Sequence, residues 1–167
     1  RMSRGTAPPW TRRRRRRPGT KLPEPMQIKR VLVALSGTVV DPDVIRLTAA
    51  IAKPAKAEIL AVHVIEVRWN LALDAVLEAE LERGESLLGD AAKVGHALGV
   101  TVETELLQAR EAAAAIVDTA RERKSDLIII GMPYRRRLGR VYVGRTVQTV
   151  YVKAPCAVLA YRQEEPS

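Results

Sequence analysis

The sequence predicts an α/β fold, a doubly wound parallel sheet of five strands with helices on both faces. Short apolar runs rich in valine and isoleucine alternate along the chain with longer segments whose apolar residues recur at helical spacing. The most regular runs, at residues 31–35 and 127–130, are apolar at every position, as strands buried on both faces require. The length of 167 residues fits one domain with a sizeable core.

The first half of the chain contains two predicted strands, at residues 31–35 and 57–65. A helix is expected between them from Asp41 to about Lys53, because Asp41 is a typical N-cap residue and Pro42 suits the first helical position. A long helix is then predicted over residues 70–98, where leucines recur at steps of three and four residues opposite an acidic face.

The second half continues the same alternation. In chain order we expect a strand at residues 100–107, a helix at 110–124, a strand at 127–130, a helix at 146–153 and a strand at 156–161. Alternation of this kind is typical of a parallel sheet whose crossover helices cover both faces.

The net charge of +9 is concentrated at the N-terminus. Residues 1–25 hold nine Lys or Arg against one Glu, including six consecutive arginines from Arg12 to Arg17, whereas residues 26–167 hold nineteen against eighteen Asp or Glu. We therefore expect residues 1–25 to be a disordered basic tail rich in arginine and proline, residues 26–162 to form the domain, and residues 163–167 to be a C-terminal tail. Met26 directly precedes the first strand and is a candidate initiator.

The segment around the fourth strand has the pattern of an anion site. Gly131 ends the strand, and Gly144 and Thr146 lie at the start of the following helix, where backbone N–H groups and the helix dipole favour a negative charge. Five arginines follow Gly131 with no carboxylate among them, at positions Arg135, Arg136, Arg137, Arg140 and Arg145. Phosphate is the anion that this arrangement favours.

The same segment resembles the universal stress protein family. Gly131 and Gly144 keep the glycine spacing of that family, and the run from Ala154 to Leu159 is similar to its closing motif. The resemblance covers about residues 28–162. It implies the strand order 3-2-1-4-5, with a nucleotide site where the order reverses between strands 1 and 4.

Eight residues fall on the nucleotide-binding positions that the resemblance implies: Ser36, Val64, Gly131, Tyr134, Arg140, Gly144, Arg145 and Thr146. Ser36 replaces the aspartate of nucleotide-binding members, Tyr134 replaces their second glycine, and Arg145 stands where they have a hydroxyl. These departures predict a degenerate site for ATP or another adenine nucleotide, and they are equally compatible with a site that binds none.

No motif in the sequence points to catalysis. The two histidines lack metal-ligand spacing, and neither a nucleophile elbow nor a Walker A motif is present. A single cysteine, Cys156, fits a reducing compartment, and no apolar run is long enough to span a bilayer. We therefore expect a cytoplasmic protein that is not an enzyme and binds no metal.

The leading functional hypothesis is a dimeric regulatory domain of the universal stress type. The resemblance implies a homodimer formed through the last strand, from Cys156 to Tyr161. Two alternatives remain: a cytosolic domain of a membrane transporter, or contact with nucleic acid or an anionic membrane through the run from Arg12 to Arg17.

Overall fold

A computed structural model describes residues 24–133, 136–137 and 140–163, and of residues 136–137 and 140–141 it describes the backbone alone. In chain order the elements are β1 (Arg30–Leu35), α1 (Asp41–Ala55), β2 (Glu58–Glu66), α2 (Glu78–Ala97), β3 (Val102–Ala109), α3 (Ala112–Glu122), β4 (Leu127–Met132), β5 (Arg136–Arg137), β6 (Arg140–Val141), α4 (Arg145–Lys153) and β7 (Ala157–Arg162). The predicted basic tail, apart from its last two residues, lies outside the described residues, and so do Tyr134 and Arg135.

The main sheet has five parallel strands in the order β3-β2-β1-β4-β7. Since β7 is its fifth strand along the chain, this confirms the predicted order 3-2-1-4-5. The short strands β5 and β6 form a separate antiparallel hairpin between β4 and α4, which the sequence did not predict.

Helices cover both faces of the sheet, as predicted. On one face Val31, Val33 and Leu35 of β1 share a core with α1 and α2. On the other face Leu32 and Ala34 of the same strand share a core with α3 and α4. Because successive residues of a strand face opposite sides of the sheet, a strand covered on both sides must be apolar at every position.

Helix α2 begins at Glu78, so the prediction that it starts near residue 70 was wrong. The guanidinium of Arg110 donates to three backbone carbonyls in the segment 67–77, and the side-chain amide of Gln108 donates to a fourth. At Leu71 and Ala75, hydrogen bonds from side chains therefore satisfy carbonyl groups that the predicted helix would have paired. Leu73, expected on the buried stripe, is 48% exposed. The other boundaries lie within two residues of those predicted.

No helix in the described part of the chain is long and apolar enough to cross a membrane.

Asp126, directly before β4, links the starts of the neighbouring strands β1 and β4 at the amino end of the sheet. Its Oδ2 accepts hydrogen bonds from the backbone N–H groups of Lys29 at 2.8 Å and Arg30 at 2.9 Å. These bonds, that from Lys29 above all, lower the pKa of Asp126 below its usual value of 3.8. The contact therefore favours the charged carboxylate and stabilises the start of the β1–β4 pairing.

We expect Asp126→Ala to lower the free energy of unfolding by about 1–2 kcal/mol at neutral pH, since both bonds involve a charged acceptor that is partly exposed. Because the folded pKa is lowered, the stabilisation is complete above pH 3.8 and is lost as the pH falls through the folded value. Urea unfolding at a series of pH values should therefore show that the two proteins become more alike in free energy of unfolding as the pH is lowered through the acidic range. A difference that is constant with pH would contradict this account.

Candidate functional site

A cleft of about 490 Å³ opens at the carboxyl ends of β1, β2 and β4. The order of the sheet reverses between β1 and β4, so the connections that follow these two strands diverge to opposite faces and leave a gap at the edge. The walls come from the loop after β1, the end of β2, the first turns of α2, and the segment from β4 to α4.

Five of the eight residues implied by the resemblance line this cleft, namely Ser36, Val64, Gly131, Gly144 and Thr146. Arg145 begins α4 with its side chain 87% exposed and its Nη2 atom 3.8 Å from Oε1 of Glu111. Tyr134 lies outside the described residues, and Arg140 is described only by its backbone in β6. The structure thus brings together both ends of the predicted site, from strand 1 to the start of α4.

The loop after β1 is built around an internal carboxylate. Oδ2 of Asp41 accepts from the backbone N–H groups of Ser36 at 3.2 Å, Gly37 at 2.8 Å and Thr38 at 3.3 Å, and Oδ1 accepts from the Thr38 hydroxyl at 3.1 Å. Asp41 is 5% exposed. A cluster of N–H groups that could have held a ligand anion is therefore already occupied.

This geometry corrects the N-cap prediction for Asp41. The residue lies in the first turn of α1, whose N-cap is Val40, and its side chain turns back to the loop. The negative charge still lies close to the positive end of the helix dipole, which attracts it.

The two motif glycines have different roles. A Cβ atom built on Gly131 would lie 2.7 Å from Cγ2 of Val40 and 3.0 Å from Cγ2 of Val44, both fully buried side chains of the α1 region. A Cβ atom on Gly144 would meet no described atom within 4 Å. Gly131 is therefore required by the packing of α1 on β4, whereas Gly144 leaves open space at the rim of the cleft.

The N-terminus of α4 opens onto the cleft without a capping side chain among the described residues. The N-terminus of α3 differs, because Oε1 of Glu66 accepts the backbone N–H of Ala112 at 2.8 Å. The first N–H groups of α4 and the hydroxyl of Thr146 are thus the donors at this end of the cleft. A phosphate is a suitable acceptor for them.

The opposite end of the cleft lies beside an open strand edge. Strand β1 ends at Leu35, which pairs with His63, whereas β2 continues to Glu66 and pairs there with β3. Backbone groups of residues 64–66 on the side of β1 therefore lack a strand partner within the described part of the sheet. Nδ1 of His63 lies 2.9 Å from the carbonyl oxygen of Leu35. A carbonyl oxygen only accepts, so the imidazole ring donates this hydrogen bond and satisfies the last carbonyl group of β1.

Sequence reasoning missed several polar residues of this site, among them Asp41 as the centre of the β1 loop, Glu66 at the end of β2, and Glu80 and Arg83 on the wall from α2. Glu80 and Arg83 lie within the predicted helix, but helical periodicity alone does not show which exposed residues of a helix border a cleft. Across the described residues, no group of three His, Cys, Asp or Glu side chains is arranged to hold a metal ion.

Comparison with known proteins agrees with this architecture. The model of the universal stress protein family matches residues 27–162. A universal stress protein of Methanocaldococcus jannaschii is 29% identical over 141 residues, covering 81% of this chain and 82% of the relative. Another, from Thermus aquaticus, is 31% identical over 142 residues, covering 80% and 98%.

Among solved structures, the universal stress protein from Archaeoglobus fulgidus in complex with dAMP has the same fold. Its TM-score is 0.64 at 22% identity, over 81% of this chain and 98% of that one. The match to the family model runs from just before β1 to the last residue of β7 and confirms the resemblance seen in the sequence. The chain belongs to the universal stress protein family.

Proposed function

We propose that this chain is a cytoplasmic regulatory domain that acts as a homodimer and binds an adenine nucleotide weakly, mainly through its phosphates. The observation that carries the proposal is one continuous cleft that joins the open edge of β2 at Val64 to the uncapped N-terminus of α4. Its volume of about 490 Å³ is in the range of small-molecule sites. The complex of the Archaeoglobus fulgidus relative with dAMP supports an adenine nucleotide as the ligand class.

The loop after β1 is the reason that we expect weak binding. Ser36 offers a neutral hydroxyl in place of the family's carboxylate, and the N–H groups of the loop already bind Asp41. The loop after β1 therefore offers the nucleoside no carboxylate acceptor from Ser36 and no free N–H donor from residues 36–38. The phosphate end keeps the helix N-terminus and Thr146, so most of the binding free energy should come from the phosphates.

Dimerisation is proposed through β7, the strand at one end of the sheet order. Its residues Ala157, Val158, Leu159 and Ala160 are apolar and only half-buried in a single chain. An apolar edge strand is a risk for aggregation unless a partner covers it. A second copy of β7 is the partner that the family resemblance implies.

The proposal assigns this chain a binding role and no catalytic step. Glu66, a carboxylate of the cleft wall, accepts a hydrogen bond from the backbone N–H of Ala112 and so stabilises the N-terminus of α3. The run from Arg12 to Arg17 stays a proposed contact for nucleic acid or an anionic membrane surface.

Thr146→Val tests the phosphate end directly. Removing the hydroxyl while keeping the shape should weaken ATP binding by a factor of about 2–10, the range for one hydrogen bond, and should leave adenosine binding unchanged. Equilibrium dialysis with both ligands measures this. Thr149→Val is the matched control, since Thr149 lies three residues further along α4 and is not part of the cleft wall. Equal losses for ATP and adenosine would contradict the assignment of Thr146 to the phosphates.

A further inference from the structure

Glu80 and Arg83, one acidic and one basic residue three positions apart, lie on the wall that α2 contributes to the cleft. The same order and spacing, an acid followed three residues later by a base, forms an ion pair at three other places on helices: Asp43–Arg46, Asp90–Lys93 and Asp118–Arg121. Glu80 and Arg83 form no ion pair with each other, and within the described residues neither side chain has another polar partner. One acceptor group and one donor group without a protein partner, both on exposed residues, therefore line the cleft.

Close packing of α2 on the sheet fixes where this pair lies. A Cβ atom on Gly84 would be 2.6 Å from Cδ1 of Leu106 and 3.1 Å from Cδ2 of His63, so the missing side chain lets the helix approach β2 and β3. Glu80 lies one turn before Gly84, and Arg83 lies next to it. Both residues consequently lie near the end of β2, at the end of the cleft away from α4.

We propose that Glu80 and Arg83 recognise the base of the nucleotide, an inference that rests on the function proposed above. Adenine presents an amino donor beside a ring-nitrogen acceptor, which match the carboxylate of Glu80 and the guanidinium of Arg83. Hypoxanthine presents an oxygen acceptor and an N–H donor in the reverse arrangement. The pair therefore selects adenine over its deaminated form, because the wrong base leaves charged groups poorly paired.

Glu80→Met in the full chain is the test, with ATP, inosine triphosphate and inorganic tripolyphosphate as ligands. We expect ATP affinity to fall by a factor of about 3–10, as one exposed charge-assisted hydrogen bond is lost. Tripolyphosphate should bind as tightly or more tightly, since a negative charge near an anion has been removed. The loss should therefore be confined to the ligand that carries the base, and the preference for ATP over inosine triphosphate should shrink.

Glu82→Met is the matched control, because it removes the same charge from an exposed position of α2 outside the cleft wall. Its ATP affinity should stay within a factor of about 2 of wild type. Arg83→Met should weaken ATP binding more than tripolyphosphate binding. Equal losses for both ligands would assign Arg83 to the phosphates and overturn its role at the base.

The outcomes separate the two levels of the proposal. If wild-type protein binds none of the three ligands, the proposed nucleotide function fails and this inference fails with it. If wild type binds ATP and Glu80→Met binds it at least as tightly, only recognition of the base by this pair is overturned. Thermal melting of each variant checks that the exposed substitutions leave the fold intact.

Discussion

Gly131→Ala is expected to lower the free energy of unfolding by about 1–3 kcal/mol, the usual cost of overpacking a dense core. The new methyl group would lie 2.7 Å from Cγ2 of Val40 and 3.0 Å from Cγ2 of Val44. Both valines are branched at Cβ and fully buried, so neither can turn away without displacing α1 from the sheet. Urea unfolding of wild type and variant measures the loss.

Gly144→Ala is the matched control for that experiment. Its added methyl group meets nothing within 4 Å in the part of the chain that the structure describes, and its backbone angles of φ −60° and ψ 147° suit alanine. Stability should therefore stay nearly constant, while the methyl group at the rim of the cleft should reduce ATP affinity. Similar stability losses in both variants would contradict the division of roles between the two glycines.

Val158→Asp is expected to abolish the proposed dimer and to give monomeric or insoluble protein. Val158 lies in β7 and packs against the core shared with α3 and α4, and a second copy of β7 would bury it further. An unpaired carboxylate in such a place costs several kcal/mol. Sedimentation velocity of the soluble fraction gives the oligomeric state.

Val76→Asp supplies the comparison for the dimer experiment. Val76 is 75% exposed in the segment before α2, near the β3 edge of the sheet, whereas β7 forms the opposite edge. The same substitution there should leave the dimer intact. A soluble and stable dimer of Val158→Asp would place the interface away from β7. A monomer produced by Val76→Asp alone would point to the segment 67–77 instead.

The fold could be predicted from the sequence because its strands are buried on both faces. Burial on both sides leaves runs without polar residues, and these runs alternate with amphipathic helices in a pattern that few other architectures share. The start of α2 could not be predicted in the same way. It depends on Arg110 and Gln108, which are distant in sequence from the carbonyl groups that they bind.

The sequence predicted where the cleft lies but not which groups form its walls. The glycine spacing located the cleft, and Ser36, Gly131 and Gly144 all line it. The sequence could not distinguish a glycine required by packing from one that leaves space for a ligand, because the difference lies in the neighbouring side chains of α1. Nor could it show that Asp41 occupies the N–H groups of the β1 loop, since its position before Pro42 matches an ordinary helix cap.

The central claim is that the cleft binds an adenine nucleotide mainly through its phosphates. Calorimetric titration of the wild-type chain with ATP and with adenosine, at low and at high salt, tests it most directly. We expect ATP to bind more tightly than adenosine and to lose affinity as salt rises, because charge attraction at the N-terminus of α4 is screened. Adenosine that binds as tightly as ATP, with no response to salt, would contradict the claim.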